Sequence, residues 1–289
     1  MDRQSGITAR TRLLGLIGHP VAHSLSPVFQ NAALNALNLD FVYLSFDILP
    51  ELLTYAVQSL RTMGVRGVNV TVPHKETIVP LLDELIVPGP VLGAVNAVVS
   101  DGKKLIGFNT DGEGFSKAME QNQVEISGKT AILLGTGGAA RAVVFVLIRN
   151  GIRKVVVYNR SSQRSFQFQR WADRSLAFKV EIDTWDSFIN GQSPLLSSAD
   201  LLINATSLGL HQEIIPIPWV KIDGCRSVID VVYHREETPL VKEARNWGKI
   251  AFDGKLMLLY QGAKSFQIFT GMEAPLEVME KALNEMLVG

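Results

Sequence analysis

The chain has 289 residues, 47% of them hydrophobic, and its 28 lysines and arginines balance 28 aspartates and glutamates. That length suggests about two domains of ~150 residues each, and the hydrophobic share suffices for ordinary cores. A formal net charge of zero argues against a nucleic-acid-coating or membrane-surface protein. The single cysteine, Cys225, excludes an internal disulfide and a four-cysteine zinc site.

In chain order, the start "MDRQSGITARTRLLGLIGHP" is basic and then apolar. Its apolar part, 13–17 with Gly15 inside, is too short for a secretory signal and is ended by His19-Pro20. It reads as a first strand over 13–18. A helical pattern at 27–37, a strand at 41–46, a helix at 49–63 and a strand at 67–71 follow. "VVSDGKKLIGF" at 98–108 places Asp101-Gly102 between two apolar runs and reads as a hairpin. Helical patterns at 114–122, 139–150 and 239–247 then accompany strands at 130–134, 154–158, 201–203 and 227–230. This alternation predicts mostly parallel sheet covered on both faces. The stretch from Lys255 onward is helical, apolar on one face, and able to return to the first domain. No run reaches the ~18 apolar residues of a membrane span, and there is no internal repeat or low-complexity segment.

"AILLGTGGAARAVVFVL" at 131–147 carries a strand, a glycine turn and a helix. Gly135, Gly137 and Ala140 match G-x-G-x-x-G/A, with Thr136, Gly138 and Ala139 completing the turn. The first glycine permits a tight turn, the second lets the backbone approach a pyrophosphate, and the small third residue allows close packing. Glycine turns join many strands to helices, so the motif alone is weak. The flanking strand and helix, and a second strand at the expected distance, strengthen it.

That second strand normally ends in an acid that holds the adenosine ribose 2′-hydroxyl. Here "VVVYNRSSQR" at 155–164 ends its strand in Asn159 and continues with Arg160, Ser161 and Arg164. An acid would repel a 2′-phosphate, whereas arginine binds one through charge-assisted hydrogen bonds. NADP is therefore the favoured cofactor. The bland reading is that Arg160 and Arg164 solubilise a helix start, which is slightly unfavourable against the helix dipole.

Polar residues at otherwise apolar strand ends carry the remaining chemistry. "GHPVAHSLSP" holds Ser24 and Ser26, which could cap a helix or donate to a carboxylate. "GVNVTVPHK" holds Asn69, Thr71 and Lys75, "GAVNAV" holds Asn96, and "GFNTDGEG" holds Asn109, Thr110 and Asp111. By position alone Asp111 is an N-cap or a reactive carboxylate. His19 and His23 are four apart, but Pro20 intervenes and the glutamate of the zinc-protease pattern is missing, so no metal site is expected. His74, His211 and His234 read as surface or rim residues, and Cys225 as inert.

Together with "NATSLG" (204–209), "DVVY" (230–233) and "LYQGAKSF" (259–266), these stretches resemble the shikimate dehydrogenase family in order and over nearly the whole chain. The resemblance implies a two-domain α/β protein. A substrate-binding domain would comprise 1–111 plus 254–289, with the C-terminal helices returning to it, and 112–253 would form a Rossmann-like NADP-binding domain. Ser24 and Ser26 would bind the substrate carboxylate. Thr71, Asn96 and Gln261 would bind ring hydroxyls, with Tyr233 close by. Lys75 and Asp111 would be the catalytic pair against the substrate. Gly135, Thr136, Gly137, Gly138 and Ala139 would cradle the pyrophosphate, and Asn159, Arg160, Ser161 and Arg164 the adenosine phosphate. Thr206, Val231 and Gly254 would line the nicotinamide side. Two positions depart from the pattern: Gln30 stands where many relatives have His, and Leu256 where the family usually has Gly.

The activity implied is reversible, NADPH-dependent reduction of 3-dehydroshikimate to shikimate in aromatic amino-acid biosynthesis. The expected partner is a small-molecule substrate, with no nucleic acid and no membrane, in the cytoplasm; the oligomeric state is left open, a homodimer included. A quinate/shikimate dehydrogenase of broader specificity is the nearest alternative, but its usual NAD preference calls for the missing acid. A non-catalytic NADP- or metabolite-binding regulator would not need both Lys75 and Asp111. A relative acting on an amino-modified substrate is a third reading. Desolvation of a lysine and an adjacent carboxylate act in opposite senses on its proton. Whether Lys75 carries the proton or anchors charge stays open.

Overall fold

The computed structural model describes residues 6–288, so the first five residues of the basic start lie outside them. The chain forms two compact units, Met1–Gly114 with Leu258–Gly289, and Phe115–Met257.

The first unit runs β1 (Arg12–Gly18), α1 (Ser26–Ala36), β2 (Phe41–Asp47), α2 (Leu53–Thr62), β3 (Gly67–Val70), α3 (His74–Thr77), β4 (Glu84–Leu85), α4 (Gly89–Leu92), β5 (Ala97–Ser100) and β6 (Leu105–Phe108), and α5 (Asp111–Gln121) follows. Its sheet has the order β2-β1-β3-β5-β6-β4. β1 is parallel to β2 and β3. The expected hairpin is β5–β6, antiparallel, with Val98 opposite Gly107, and β5 is also antiparallel to β3. Its turn closes where Asp101 Oδ1 accepts from the backbone N–H groups of Lys103 and Lys104. The expected helix over 49–63 is instead a 3₁₀ turn at Pro50–Leu52 followed by α2, with Pro50 opening the tight turn.

This topology positions the site. The carboxyl ends of β1, β3 and β6 and the amino end of β5 share one sheet edge. The segments bearing Ser24 and Ser26, Thr71 and Lys75, Asn96, and Asp111 all leave from that edge.

The second unit runs β7 (Thr130–Leu134), α6 (Gly138–Arg149), β8 (Lys154–Asn159), α7 (Ser162–Ser175), β9 (Glu181–Thr184), α8 (Trp185–Ile189), β10 (Leu201–Asn204), β11 (Ser227–Asp230), α9 (Pro239–Asn246) and β12 (Ile250–Phe252). The strand order is β12-β11-β10-β7-β8-β9, and every pairing is parallel. One apolar cluster, including Phe115, Val143, Leu147 and Phe168, and another, including Trp219, Ile222, Val228 and Leu240, make its core. β7, β10 and β11 are buried throughout, as strands of a parallel sheet covered on both faces must be. The chain order reverses beside β7, which is where open α/β sheets bind ligands, beyond the strands' carboxyl ends.

Two helices end the chain, α10 (Lys255–Thr270) and α11 (Leu276–Val288). From them Leu259, Phe266, Phe269, Met279 and Leu283 join Leu14, Phe29, Leu34 and Tyr43 in the core of the first unit. α10 comes so close that a Cβ at Gly262 would lie 2.5 Å from the Phe29 ring.

β2 is an edge strand, and edge strands expose unpaired backbone groups. Asn31 of α1 occupies one such position. Its Nδ2 donates to Tyr43 O (2.9 Å) and its Oδ1 accepts from Tyr43 N (2.9 Å). A third bond runs from Nδ2 to Pro27 O (2.8 Å). A net hydrogen bond contributes roughly 0.5–1.5 kcal/mol, so Asn31→Ala should lower unfolding stability by about 1–3 kcal/mol. Urea unfolding measures this; an unchanged midpoint would show that water replaces the amide at no cost.

Candidate active site

In the first unit Lys75 sits on the single-turn helix α3, and Asp111 opens α5. Lys75 Nζ lies 2.6 Å from Asp111 Oδ2, with side-chain exposures of 16% and 3%. The other carboxylate oxygen, Oδ1, accepts from Asn96 Nδ2 at 2.8 Å. Asp111 thus begins its helix without spending its carboxylate on a cap. The Asp111 backbone N–H is taken instead by Asn109 Oδ1 (3.1 Å).

Asn96 is the hub. Its Oδ1 accepts from Thr110 N (2.7 Å), and its Nδ2 also approaches Gln261 Oε1 (3.2 Å). Behind it Asn69 Nδ2 donates to Asn96 O (3.1 Å) and to Ser265 Oγ (2.8 Å). Tyr43 OH donates to Asn69 Oδ1 (2.8 Å). Ser265 Oγ and Thr110 Oγ1 both reach Gln261 O, at 2.9 and 3.0 Å. A hydrogen-bonded network of buried residues therefore runs from Tyr43 to the lysine–aspartate pair. Satisfied networks of this kind rigidify a site. Removing one member of a buried ion pair typically costs ~3–5 kcal/mol because the other charge is left uncompensated.

The remaining expected residues of this unit lie along the same edge. Ser26 is the first residue of α1 and does not cap it; the N-cap position is Leu25, which offers no side-chain bond. Ser24 Oγ accepts from Ser26 N (3.2 Å). A Cβ on Gly18 would fall 2.3 Å from the Thr71 methyl, so Thr71 packs directly over β1's end. Gln30, one of the two departures, is buried and donates to Gly262 O (2.9 Å), next to Gln261.

His74 corrects an expectation. It is fully buried, not at the rim. The turn after β3 directs its imidazole inward, where Nε2 meets Ile48 O at 2.7 Å. Asn69, Thr110 and Ser265 complete the network without having been assigned a role. Asn69 and Thr110 stood out as polar residues at strand ends; Ser265 is legible only by lying one helical turn beyond Gln261.

In the second unit the turn from β7 to α6 has the expected form. Gly135 has φ of +99°, and a Cβ there would lie 2.9 Å from Ala205 O, so only glycine fits. Gly137 precedes α6 with no side-chain cap, and a Cβ there would meet nothing within 4 Å. That leaves room for a ligand at the backbone. Thr136 and Ala140 are buried, while Gly138 and Ala139 open the helix partly exposed. At the end of β8, Asn159 Nδ2 donates to Ser161 O (3.0 Å), and Ser161 Oγ caps α7 by accepting from Arg164 N (3.3 Å). Arg160 and Arg164 are exposed. Neither enters an ion pair among the described residues.

Thr206 follows β10, and its N and Oγ1 both donate to Asn204 Oδ1, at 3.0 and 2.7 Å. Val231 follows β11, and Gly254 N donates to Val232 O (2.9 Å). A Cβ on Gly254 would lie 2.1 Å from Val231 O. Tyr233 lies in the same stretch of the second unit and is partly exposed. Leu256, the other departure, stands in the first turn of α10 and packs against the second unit's core. Asp230 ends β11 fully buried. Burial pushes its carboxyl up to about 7, against hydrogen bonds from Thr238, Asn204 and the Val232 N–H that favour its ionised form. Among the described residues no group of three His, Cys, Asp or Glu could hold a metal ion. No helix among them is long and apolar enough to cross a membrane.

A parallel sheet with a phosphate-type glycine turn in one unit, and a buried lysine–aspartate pair amid amides in the other, define the class of a two-unit α/β oxidoreductase. The comparisons narrow it. Residues 16–98 match the family model described as shikimate dehydrogenase substrate binding domain, 117–216 that of shikimate / quinate 5-dehydrogenase, and 256–283 that of the shikimate 5′-dehydrogenase C-terminal domain. The chain is 42% identical to a shikimate dehydrogenase (NADP(+)) of Methanopyrus kandleri, over 99% of this chain and 100% of the relative. It is also similar to a crystallised shikimate dehydrogenase in complex with NADP+, at 37% identity and a TM-score of 0.85 over 98% of each chain. A third similarity is to the Thermus thermophilus shikimate 5-dehydrogenase in complex with NADP(H) and shikimate, at 33% identity and a TM-score of 0.81 over 95% of this chain and 99% of the other. The chain belongs to the shikimate dehydrogenase family.

Asp230 carries a pH prediction. Its folded carboxyl, raised to about 7, holds a proton that an unfolded aspartate near ~3.9 has released. The stability from that proton is fully present below ~4 and is lost as pH rises through about 7. Asp230→Asn removes the titration. From about pH 5 to about pH 8 the wild type should lose unfolding stability relative to Asp230→Asn. Parallel stability curves would show the carboxylate ionised throughout.

Proposed function

We propose that the chain is an NADP-dependent shikimate dehydrogenase, interconverting 3-dehydroshikimate and shikimate. The carrying observation is the 2.6 Å contact of Lys75 with Asp111 inside a network of buried amides and hydroxyls, in a chain of this family. Oxidising a secondary alcohol removes a hydride from carbon and a proton from oxygen. NADP, when bound, supplies the hydride chemistry. The chain's own residues hold the alcohol and handle its proton.

Lys75 Nζ and the Asp111 carboxylate bracket the reacting hydroxyl, one able to donate to it and the other to accept from it. Asn96, bonded to Asp111 Oδ1, fixes the carboxylate and, with Thr71 and Gln261, reads the ring hydroxyls. Ser24 and Ser26 take the substrate carboxylate. Gly135 to Ala139 cradle the pyrophosphate, and Thr206, Val231 and Gly254 line the nicotinamide side. Asn159, Arg160, Ser161 and Arg164 take the adenosine 2′-phosphate. Two exposed arginines at the end of β8, where an acid would select NAD, favour NADP and disfavour the quinate-type alternative.

A hydrogen bond to a charged group contributes ~1.5–3 kcal/mol, so Arg160→Ala should raise the KM for NADP roughly 10- to 100-fold. NAD kinetics should barely change. Equal losses with both cofactors would assign Arg160 to the fold.

The catalytic pair is tested by a double-mutant cycle. General acid–base assistance contributes about 10²–10⁴-fold, so Lys75→Met should cut turnover by that order while NADP still binds. Asp111→Asn should also slow turnover. The double variant should lose far less than the product of the single losses, because the two act as one unit. Near-normal turnover in Lys75→Met would overturn the mechanism.

A further inference from the structure

Asp230 is fully buried, as are Asn204 and Thr238. A carboxylate placed there costs desolvation unless donors repay it. Three do. Asn204 Nδ2 (2.8 Å) and Val232 N (3.1 Å) donate to Oδ1, and Thr238 Oγ1 (2.8 Å) donates to Oδ2. With no exposed surface, Asp230 touches no ligand and acts only through these partners.

The partners lead outward to the carboxyl edge of β10 and β11, the ligand-binding edge of a parallel sheet. On one route, Asn204 is held by Asp230, and its Oδ1 holds both the backbone and the hydroxyl of Thr206. On the other, Asp230 holds the Val232 N–H, and Val232 O receives the Gly254 N–H. That bond brings Gly254 so close to Val231 O that no side chain fits at 254. The third bond ties the carboxylate to Thr238, the N-cap of α9. Thr206, Val231 and Gly254 are far apart in sequence, yet all three hang from one buried carboxylate.

We infer that Asp230 is a positioning residue that sets the nicotinamide-facing wall of the second unit by holding Thr206, Val231 and Gly254 in place. The inference rests on the NADP reading above. It separates the cofactor's two ends: the adenosine phosphate, at the end of β8, does not depend on Asp230.

The test uses Asp230→Ala and Asp230→Asn in the full chain. The asparagine keeps the oxygen that accepts from Asn204 and Val232, and presents its amide N–H to Thr238 Oγ1, which can accept. Four quantities are measured: Kd for NADP, Kd for adenosine 2′,5′-bisphosphate, which lacks nicotinamide, turnover, and KM for shikimate. A misplaced reacting group can cost on the order of 10²-fold, so Asp230→Ala should lower turnover roughly 10- to 100-fold and weaken NADP. Affinity for the bisphosphate and KM for shikimate should stay near wild type. Asp230→Asn should restore most of the turnover.

Equal weakening of NADP and the bisphosphate in Asp230→Ala, or an Asp230→Asn enzyme as poor as the alanine variant, would overturn the role. If Asp230→Ala does not fold, Asn204→Ala cuts the route to Thr206, together with the bond to Leu208 O, while Val232 and Thr238 stay on Asp230, and should show the same split between NADP and the bisphosphate; normal kinetics there would overturn it. A wild-type protein that binds neither probe would overturn the NADP reading, and this inference with it. Wild-type binding of both, with an unaffected Asp230→Ala, would overturn the inference alone.

Discussion

A lysine and an aspartate in contact at 2.6 Å, largely out of water, constrain everything around them. Each charge loses its hydration, and their mutual attraction offsets that loss only with good geometry and with donors on the remaining oxygen. Asn96 supplies such a donor and is itself held by Thr110, Asn69 and Gln261. The fold of the first unit follows from bringing these residues together. The antiparallel β5 starts Asn96 at the edge where β3 and β6 end, and α10 returns Gln261 and Ser265 from the far end of the sequence. Lys75 rides on a helix of one turn, too short to hold itself, so its carbonyl is tied to Val95 N and its neighbour His74 to Ile48 O.

The second unit solves a different problem with the same means. Binding a phosphate-rich ligand needs exposed backbone N–H groups and mobile cations, which a packed core does not supply. The unit keeps its apolar strands at the centre and leaves the chemistry to their carboxyl ends. Glycine stands where a Cβ would strike a neighbouring carbonyl, as at Gly135 and Gly254. Positive charge stands outside at Arg160 and Arg164, both exposed at the end of β8. Asp230 is a carboxyl group placed deep inside, bonded by Asn204, Val232 and Thr238.

Much of this was legible in the sequence because it is local. The glycine turn, the strand ending in Asn159-Arg160 and the hairpin at Asp101-Gly102 each declare themselves within a dozen residues. The polar strand ends also stand out, since Asn96 and Asp111 interrupt runs that a core would fill with apolar residues. What was not legible depends on distant partners. His74 looks like a rim residue beside a lysine until Ile48 is found opposite it. Ser265 and Asp230 look like ordinary polar residues until Asn69 and Asn204 meet them. β9 and β12 lie at the sheet's edges, where "EIDT" has one apolar residue in four and "IAF" is too short to show a period. Gln30 departs from the family pattern but keeps a donor on Gly262 O, which sequence spacing could not reveal.

The lysine–aspartate pair and the glycine turn belong to a chain that oxidises shikimate with NADP. The most direct measurement is the absorbance of the reduced nicotinamide while the protein is incubated with shikimate or quinate, each with NADP or NAD. NADP should be reduced rapidly with shikimate, with a much slower signal in the other three mixtures. No reduction with shikimate under either cofactor, or faster reduction of NAD with quinate, would contradict it.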